Sequence, residues 1–414
     1  MGIVGCGKEE KPTGDITMPE DIAPNAESTS EIITDVYWDA TYSMQGYTTI
    51  QQGNFYRTLP DDLGDLCGSL GEVHFYKFGE QITPLQGREH RQFSNPDAYN
   101  EVITAVGNVI NQADENHITI IVTDLFESDA DWSNVTQKLK EKYFSKHMGV
   151  AIIGVKNPFN GDIFDVGLNA AKFQYDSGND ANKYRPFYLF IAGPTGKIET
   201  FLAKWRERET FAGMQYVFFS EELSRDAADF SKMEIKGMDN FYSDAKLPIK
   251  DKRMVELGVS SADKPAMITA SFKYEPPFGA CNIDMTKLHT YVGVYVLGED
   301  GWELSDAEND VKCDIAPSSD GDGKYDVTLK LTPEASLMAD KINLLHVSAA
   351  PEGSGVLLPD WVKSWNMANY DIDANAFDGS KTINFLHVVG SLKDSMLMSA
   401  HPSLVNVNIV IDMR

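Results

Sequence analysis

The sequence predicts an α/β domain with a mainly parallel central sheet, followed by an all-β, sandwich-like carboxy-terminal domain. Three observations predict this. Between residues 31 and 222, apolar strand-like runs alternate with helical stretches, the rhythm of consecutive βα units. From Met267 the texture changes to strand patterns separated by turns, as in antiparallel sandwiches. The 414 residues also suffice for two domains, each with its own core. Residues 223–265 are polar and lysine-rich and read as a connector, and residues 266–414 form the second domain.

The elements follow in order. Ile32 to Trp38 is an apolar, aromatic and β-branched run, the first strand. A first helix is expected within Tyr47 to Cys67. Val73 to Phe78 and Gln81 to Leu85 flank Gly79-Glu80 and predict a hairpin, the sheet's antiparallel edge. Val102, Ile103, Val106, Val109 and Ile110 share one helical face, with Ser94, Asn95 or Asp97 before them as cap. His117 to Val122 is the next strand, and Asp129 to His147 a helix with acids early and lysines late, as the helix dipole prefers. Val150 to Val155 is continuous and apolar, as a buried parallel strand would be. Residues 156–184 break the rhythm and read as an inserted excursion. Phe187 to Ile191 restores the sheet, and Ile198, Phe201, Leu202 and Trp205 mark the last helix. In the second half, strands are expected at 267–274, 288–297, 325–332, 342–349, 382–389 and 404–413, with a helical turn at Trp361 to Trp365.

Composition bounds the function. Lysine and arginine total 36 against 62 acids, a net charge of −26, which repels nucleic acid and bare anionic lipid and draws in cations and basic partners. No stretch is apolar enough to form a spanning helix. Ile3-Val4-Gly5-Cys6 resembles a bacterial lipobox, and residues 7–30 are acidic, Pro-, Ser- and Thr-rich, the composition of a disordered tether. Together residues 1–30 imply a head lipid-anchored through Cys6 to a bacterial membrane, in an extracytoplasmic compartment. Only five residues precede Cys6, fewer than the apolar core of a signal peptide needs. Cys67, Cys281 and Cys313 have no zinc spacing; Cys281 and Cys313 either pair or stay as thiols.

The chemistry is concentrated where two strands end. The first strand stops at Asp39, Thr41 and Ser43, three oxygen-bearing side chains at alternate positions, and the strand 117–122 stops at Thr123-Asp124. A helix cap accounts for one hydroxyl. It does not account for an aspartate directly after two separate apolar strands, since a buried carboxylate is costly unless paired or metal-bound. Oxygen-only donors suit Mg2+, or Mn2+ or Ca2+, and disfavour zinc and copper.

Asp39-x-Thr41-x-Ser43 with Asp124 at the end of a second strand resembles the metal-ion-dependent adhesion site of von Willebrand factor type A domains. The family pattern is Asp-x-Ser-x-Ser, a separate threonine, and an aspartate in a Thr-Asp-Gly turn. Here Thr41 keeps the hydroxyl of the first serine, and Leu125 replaces the glycine. For the separate threonine the window before the helix offers Ser94, Asn95 and Asp97, and the next threonine, Thr104, falls inside the expected helix. The resemblance implies a Rossmann-like type A domain over about residues 32–222. It also implies direct metal ligation by Ser43 and one of Thr41 or Ser94, with Asp39 and Asp124 held through water or hydroxyls. The implied function is binding a protein or surface ligand whose acidic group completes the metal shell.

Two other functions compete with this one. The first is a metal-independent type A scaffold in an envelope assembly. The second is a Mg-dependent phosphohydrolase with Asp39 as nucleophile, but Thr41 stands where its general acid is needed. The histidines show no metal or triad spacing, and neither a Gly-x-Ser-x-Gly elbow nor a phosphate-cradling loop is present. No catalysis is expected. Asp371, Asp373 and Asn375 open like a calcium loop, but Ala376 and Thr382 stand where Gly and Glu belong, and Asp320, Asp322 and Asp326 read as a hairpin turn.

Overall fold

The computed structural model describes residues 15–19, 22, 31–125, 129–166, 171–208, 214–224, 229–244, 246–305, 311–321, 323–368, 377–399 and 402–414. Cys6 and the loop Asp371 to Asn375 lie outside them.

The first half builds one sheet covered on both faces. Its strands are β1 (Ile32–Asp39), β2 (Gly71–Phe78), β3 (Ile82–Leu85), β4 (Ile118–Thr123), β5 (Gly149–Asn157), β8 (Arg185–Gly193) and β9 (Gln215–Phe219), with β6 (Asn160–Val166) and β7 (Ala171–Asp176) as a separate hairpin between β5 and β8. The helices are α1 (Tyr42–Gln45), α2 (Leu59–Leu70), α3 (Val106–Gln112), α4 (Asp129–Lys142) and α5 (Thr195–Arg206). Alternation along the strands assigns each residue to a face. Val36, Trp38, Ile120, Val122 and Leu189 pack against α2 and α5 through Leu63, Leu66, Ile198, Phe201 and Trp205. Tyr37, Ile121, Ile152 and Phe190 pack on the other side against α3 and α4 through Val106, Val109, Trp132 and Leu139.

The strand directions correct the expected architecture. The sheet order is β3-β2-β1-β4-β8-β5-β9, and only β1–β2 and β1–β4 are parallel. The pairs β2–β3, β4–β8, β5–β8 and β5–β9 are antiparallel. The sheet is therefore not mainly parallel and not Rossmann-like. The cause lies in the excursion at 156–184. A parallel neighbour requires a crossover that carries the chain back to the starting end, usually a helix. Here the connection from β5 to β8 is the β6–β7 hairpin, which leaves the chain where it is, so β8 must run back beside β5. A fully buried strand reads as a continuous apolar run in either direction, so the sequence of β5 carries no orientation signal.

The second half is not all-β from residue 266. A four-stranded sheet (Glu234–Asp239, Ala266–Lys273, Lys324–Leu331, Lys312–Pro317) faces a six-stranded one (Phe241–Ser243, Met254–Val259, Val405–Asp412, Ile342–Pro351, Leu288–Leu297, Trp302–Leu304). Ile268, Phe272, Val327 and Leu329 from the first meet Leu345, Val347, Val407 and Ile409 from the second in one core. Three of these strands come from the stretch read as a connector. One pairing, Met254–Val259 with Val405–Asp412, is parallel. Of the strand expected at 382–389 only Thr382–Ile383 is a strand, paired with Asn366–Met367, and from Phe385 the chain is the helix Phe385–Ser399. That helix leaves the paired sheets and packs on the first half, where the Phe385 ring stacks on Tyr188 at 4.7 Å.

Residues 15–19 are docked on the second half. Ile16 is buried, its N–H bonds the Pro248 carbonyl at 3.0 Å, and the Trp302 indole N–H bonds the Thr17 carbonyl at 2.6 Å. Cys67, Cys281 and Cys313 are free thiols, so Cys281 and Cys313 are not paired.

A buried carboxylate cross-links three strands far from the site. Asp35 of β1 accepts from His74 Nδ1 of β2 and from His117 Nδ1 before β4, each at 2.8 Å, and His74 Nε2 meets Glu72 at 3.0 Å. The Asp35 bond raises the His74 pKa above its ordinary value against the opposing effect of burial. A raised imidazole pKa stabilises the fold fully below about 6.5, and the contribution disappears as pH climbs through the raised value. His74→Gln is therefore expected to lower the urea midpoint at pH 5.5 and to cost less at pH 9. An equal cost at both pH values would show that the histidine charge contributes nothing.

Candidate functional site

The ends of β1 and β4 bring four of the five residues expected at the metal site together: Asp39, Thr41, Ser43 and Asp124. Asp39 is the last residue of β1, and β1 pairs with β4 in register from Thr34–Ile118 to Trp38–Val122, so Asp39 and Thr123-Asp124 leave the sheet side by side. Trp38 anchors the strand end. It is fully buried, stacks on Phe93 at 5.1 Å, and its indole N–H bonds the Tyr56 hydroxyl at 2.7 Å.

A chain of short oxygen contacts builds the site. Asp39 Oδ1 accepts from the Thr41 N–H at 3.0 Å and from Thr41 Oγ1 at 2.7 Å, an Asx-type turn that folds the loop back on its own strand. Asp39 Oδ2 accepts from Thr123 Oγ1 at 2.8 Å. Thr41 Oγ1 and Ser43 Oγ are 3.0 Å apart, and Ser43 Oγ donates to Asp124 Oδ1 at 3.4 Å. All of these residues are buried, Ser43 being the most exposed of them at 7%.

Thr104 supplies the hydroxyl that the sequence assigned to Ser94. Its Oγ1 lies 3.3 Å from Thr41 Oγ1 and 3.4 Å from Asp39 Oδ2. Ser94 is elsewhere, donating to the Arg57 carbonyl at 2.6 Å, and it is not part of the site. The helix begins at Val106, four residues later than its apolar period suggests. Val102 and Ile103, read as its first buried residues, are 82% and 53% exposed, and Thr104 is in the loop before it. That loop is tied to the first one, since Glu101 N–H bonds the Ala40 carbonyl at 3.0 Å and Tyr42 N–H bonds the Glu101 carbonyl at 3.1 Å.

Arg185, at the start of β8, was not singled out in the sequence. Its guanidinium is buried, donates to Asp124 Oδ2 at 3.4 Å and to the Gly379 and Lys381 carbonyls at 3.3 Å, and faces the Phe159 ring at 5.5 Å. The only sequence signal for it is a lone basic residue against the fully apolar strand Pro186 to Ala192.

Charge and burial fix the chemistry. Burial, and next to it the neighbouring Asp124, push the Asp39 pKa up to about 7, against the hydrogen bonds from Thr41 and Thr123. The site holds two carboxylates, Asp39 and Asp124, and one guanidinium, which pairs with Asp124, so it is short of one positive charge. A proton on Asp39 or a cation beside it supplies the difference. The convergent oxygens of Asp39, Thr41, Ser43, Thr104 and Asp124 are carboxylate and hydroxyl donors, the type a hard divalent ion takes. Among the described residues no three His, Cys, Asp or Glu side chains form a metal-holding group. Leu125 sits at φ 57°, a left-handed backbone that costs a side-chain-bearing residue about 1–3 kcal/mol. Its side chain is buried in the same core cluster as Trp132, whose indole N–H bonds the Leu125 carbonyl at 3.3 Å.

Among the described residues no helix is long and apolar enough to cross a membrane. No protein-family model, no curated protein and no solved structure matches the chain.

Proposed function

We propose that this protein binds a protein or surface ligand through a divalent metal ion held by Asp39, Thr41, Ser43, Thr104 and Asp124, and that it performs no catalysis. The observation that supports the reading is the convergence of these five side chains, from three separate segments, on one solvent-shielded point. Their pattern is that of an adhesion-type site, carried on a sheet whose strand directions differ from the type A arrangement. Mg2+ or Mn2+ is the preferred ion, with Ca2+ also compatible with oxygen donors. Neutral hydroxyl ligands leave the ion electrophilic, so the partner contributes a carboxylate. Tyr42, Val102 and Ile103 are exposed at the rim and offer apolar contact around it.

The test is Mn2+ binding followed by electron paramagnetic resonance. Thr41→Val and Thr104→Val are expected to weaken Mn2+ binding by about tenfold or more each, and Ser94→Ala to leave it unchanged. Equal binding by all three variants would place the ion elsewhere.

Arg185 favours a second reading, in which the guanidinium is the site's permanent cation and the first half is a metal-independent scaffold. For the cell we propose extracytoplasmic attachment through lipidated Cys6; Cys6→Ser should release the protein from membranes, and continued retention would contradict the anchor.

A further inference from the structure

We propose that Arg185 is a resident counter-cation that competes with the metal ion for Asp124, and that residues 377–383 clamp it there, so that metal binding and docking of that segment oppose each other. This rests on the metal reading of the site. The guanidinium shares Asp124 with the metal position: Oδ2 takes Arg185 at 3.4 Å while Oδ1 takes Ser43. Arg185 is 3% exposed, so water screens little of the repulsion between a guanidinium and a dication.

The clamp comes from the far end of the chain. The two carbonyls that hold Arg185 belong to Gly379 and Lys381. Their segment is in turn fixed to the first half by the Tyr188–Thr382 hydroxyl contact at 2.8 Å and by close packing of Gly379, where an added Cβ would meet the Tyr175 ring at 2.4 Å. The hold is incomplete. Its bonds to Asp124, Gly379 and Lys381 are all 3.3 Å or longer, and, beside a further contact of the guanidinium with the Tyr47 hydroxyl, its buried Nε has no hydrogen-bond partner among the described residues. An arginine seated this way can leave when a stronger cation takes the carboxylate. Linkage then requires the converse, that an undocked segment raises metal affinity.

The experiment titrates Mn2+ calorimetrically into the full chain and its Arg185→Met, Arg185→Lys and Gly379→Val variants, with thermal melts to establish folding. Hydrogen exchange follows the amides of 379–383 with and without Mn2+. Arg185→Met is expected to bind about tenfold tighter or more, Gly379→Val to shift the same way, and Arg185→Lys to stay near the unmodified chain. Mn2+ should speed exchange at 379–383 in the unmodified chain and not in Arg185→Met. Binding by Arg185→Met alone, with the unmodified chain silent, would support the competition in its strongest form. Equal or weaker binding by Arg185→Met beside a binding unmodified chain overturns the arginine's role and leaves the metal site standing. If Arg185→Met does not fold, an unchanged affinity in Gly379→Val overturns it instead. Silence in every folded variant overturns the metal reading itself, and the competition with it.

Discussion

Asp39→Asn is expected to abolish Mn2+ binding while leaving the fold at least as stable as before. The carboxylate is fully buried, and its pKa of about 7 means that the charged form is disfavoured in the folded chain. A raised acid pKa costs stability as pH rises from its unfolded value through the folded one, so the cost is absent near pH 4 and complete above pH 7. The near-isosteric amide removes that cost, keeps one oxygen for Thr41, and turns its NH2 to Thr123 Oγ1, which can accept in place of donating. At pH 8 the variant should gain about 1–4 kcal/mol in urea unfolding without metal. Asp39→Ala behaves differently, because it leaves the Thr41 N–H and the Thr123 hydroxyl without their acceptor, a loss of about 1–3 kcal/mol. A stable Asn variant with lost binding separates the site's chemistry from its structural role. Undiminished Mn2+ affinity in that variant would remove Asp39 from the metal shell.

Gly154→Val is expected to push the carboxy-terminal segment off the sheet. Gly154 lies within β5, and an added Cβ would stand 2.7 Å from Trp365 and 3.1 Å from Trp361. The two indoles use that space. Trp361 also donates its N–H to the Tyr216 carbonyl at 3.2 Å, and Lys156 lies over the Trp365 ring at 5.4 Å. Neither neighbour is a flexible side chain able to yield, so the overpacking costs about 1–3 kcal/mol. Residues 360–399 should then open separately from the rest. Limited proteolysis would read this as early cleavage within residues 377–399, with the sheet of the first half still intact. Unchanged cleavage and an unchanged midpoint would show that the tryptophans can repack.

The site was legible in the sequence where a strand ends abruptly in polar residues. The fully buried runs ending at Asp39 and Asp124 are a conflict that the sequence itself displays, because buried carboxylates require a reason. Thr104 was hidden by periodicity. Val102 and Ile103 sit at helical spacing from Val106 and Val109, yet they face solvent, and apolar spacing alone does not separate a buried first turn from an exposed loop. Arg185 was hidden because its partners come from residues 124, 379 and 381, and no local pattern records so long a separation. Strand orientation was illegible for the related reason that an apolar run fits either direction, while the connecting hairpin Asn160–Val166 and Ala171–Asp176 decided it. The helix Phe385–Ser399 was missed because Thr382 to Val389 carries enough β-branched residues to imitate a strand.

Calorimetric titration of Mg2+ into the metal-stripped chain, beside Asp124→Asn and Arg185→Met, tests the central claim most directly. The metal account predicts saturable binding of one ion per chain, lost in Asp124→Asn and tightened in Arg185→Met. No heat from the unmodified chain and none from Arg185→Met, with both folded, would contradict it and leave Arg185 as the only cation of the site.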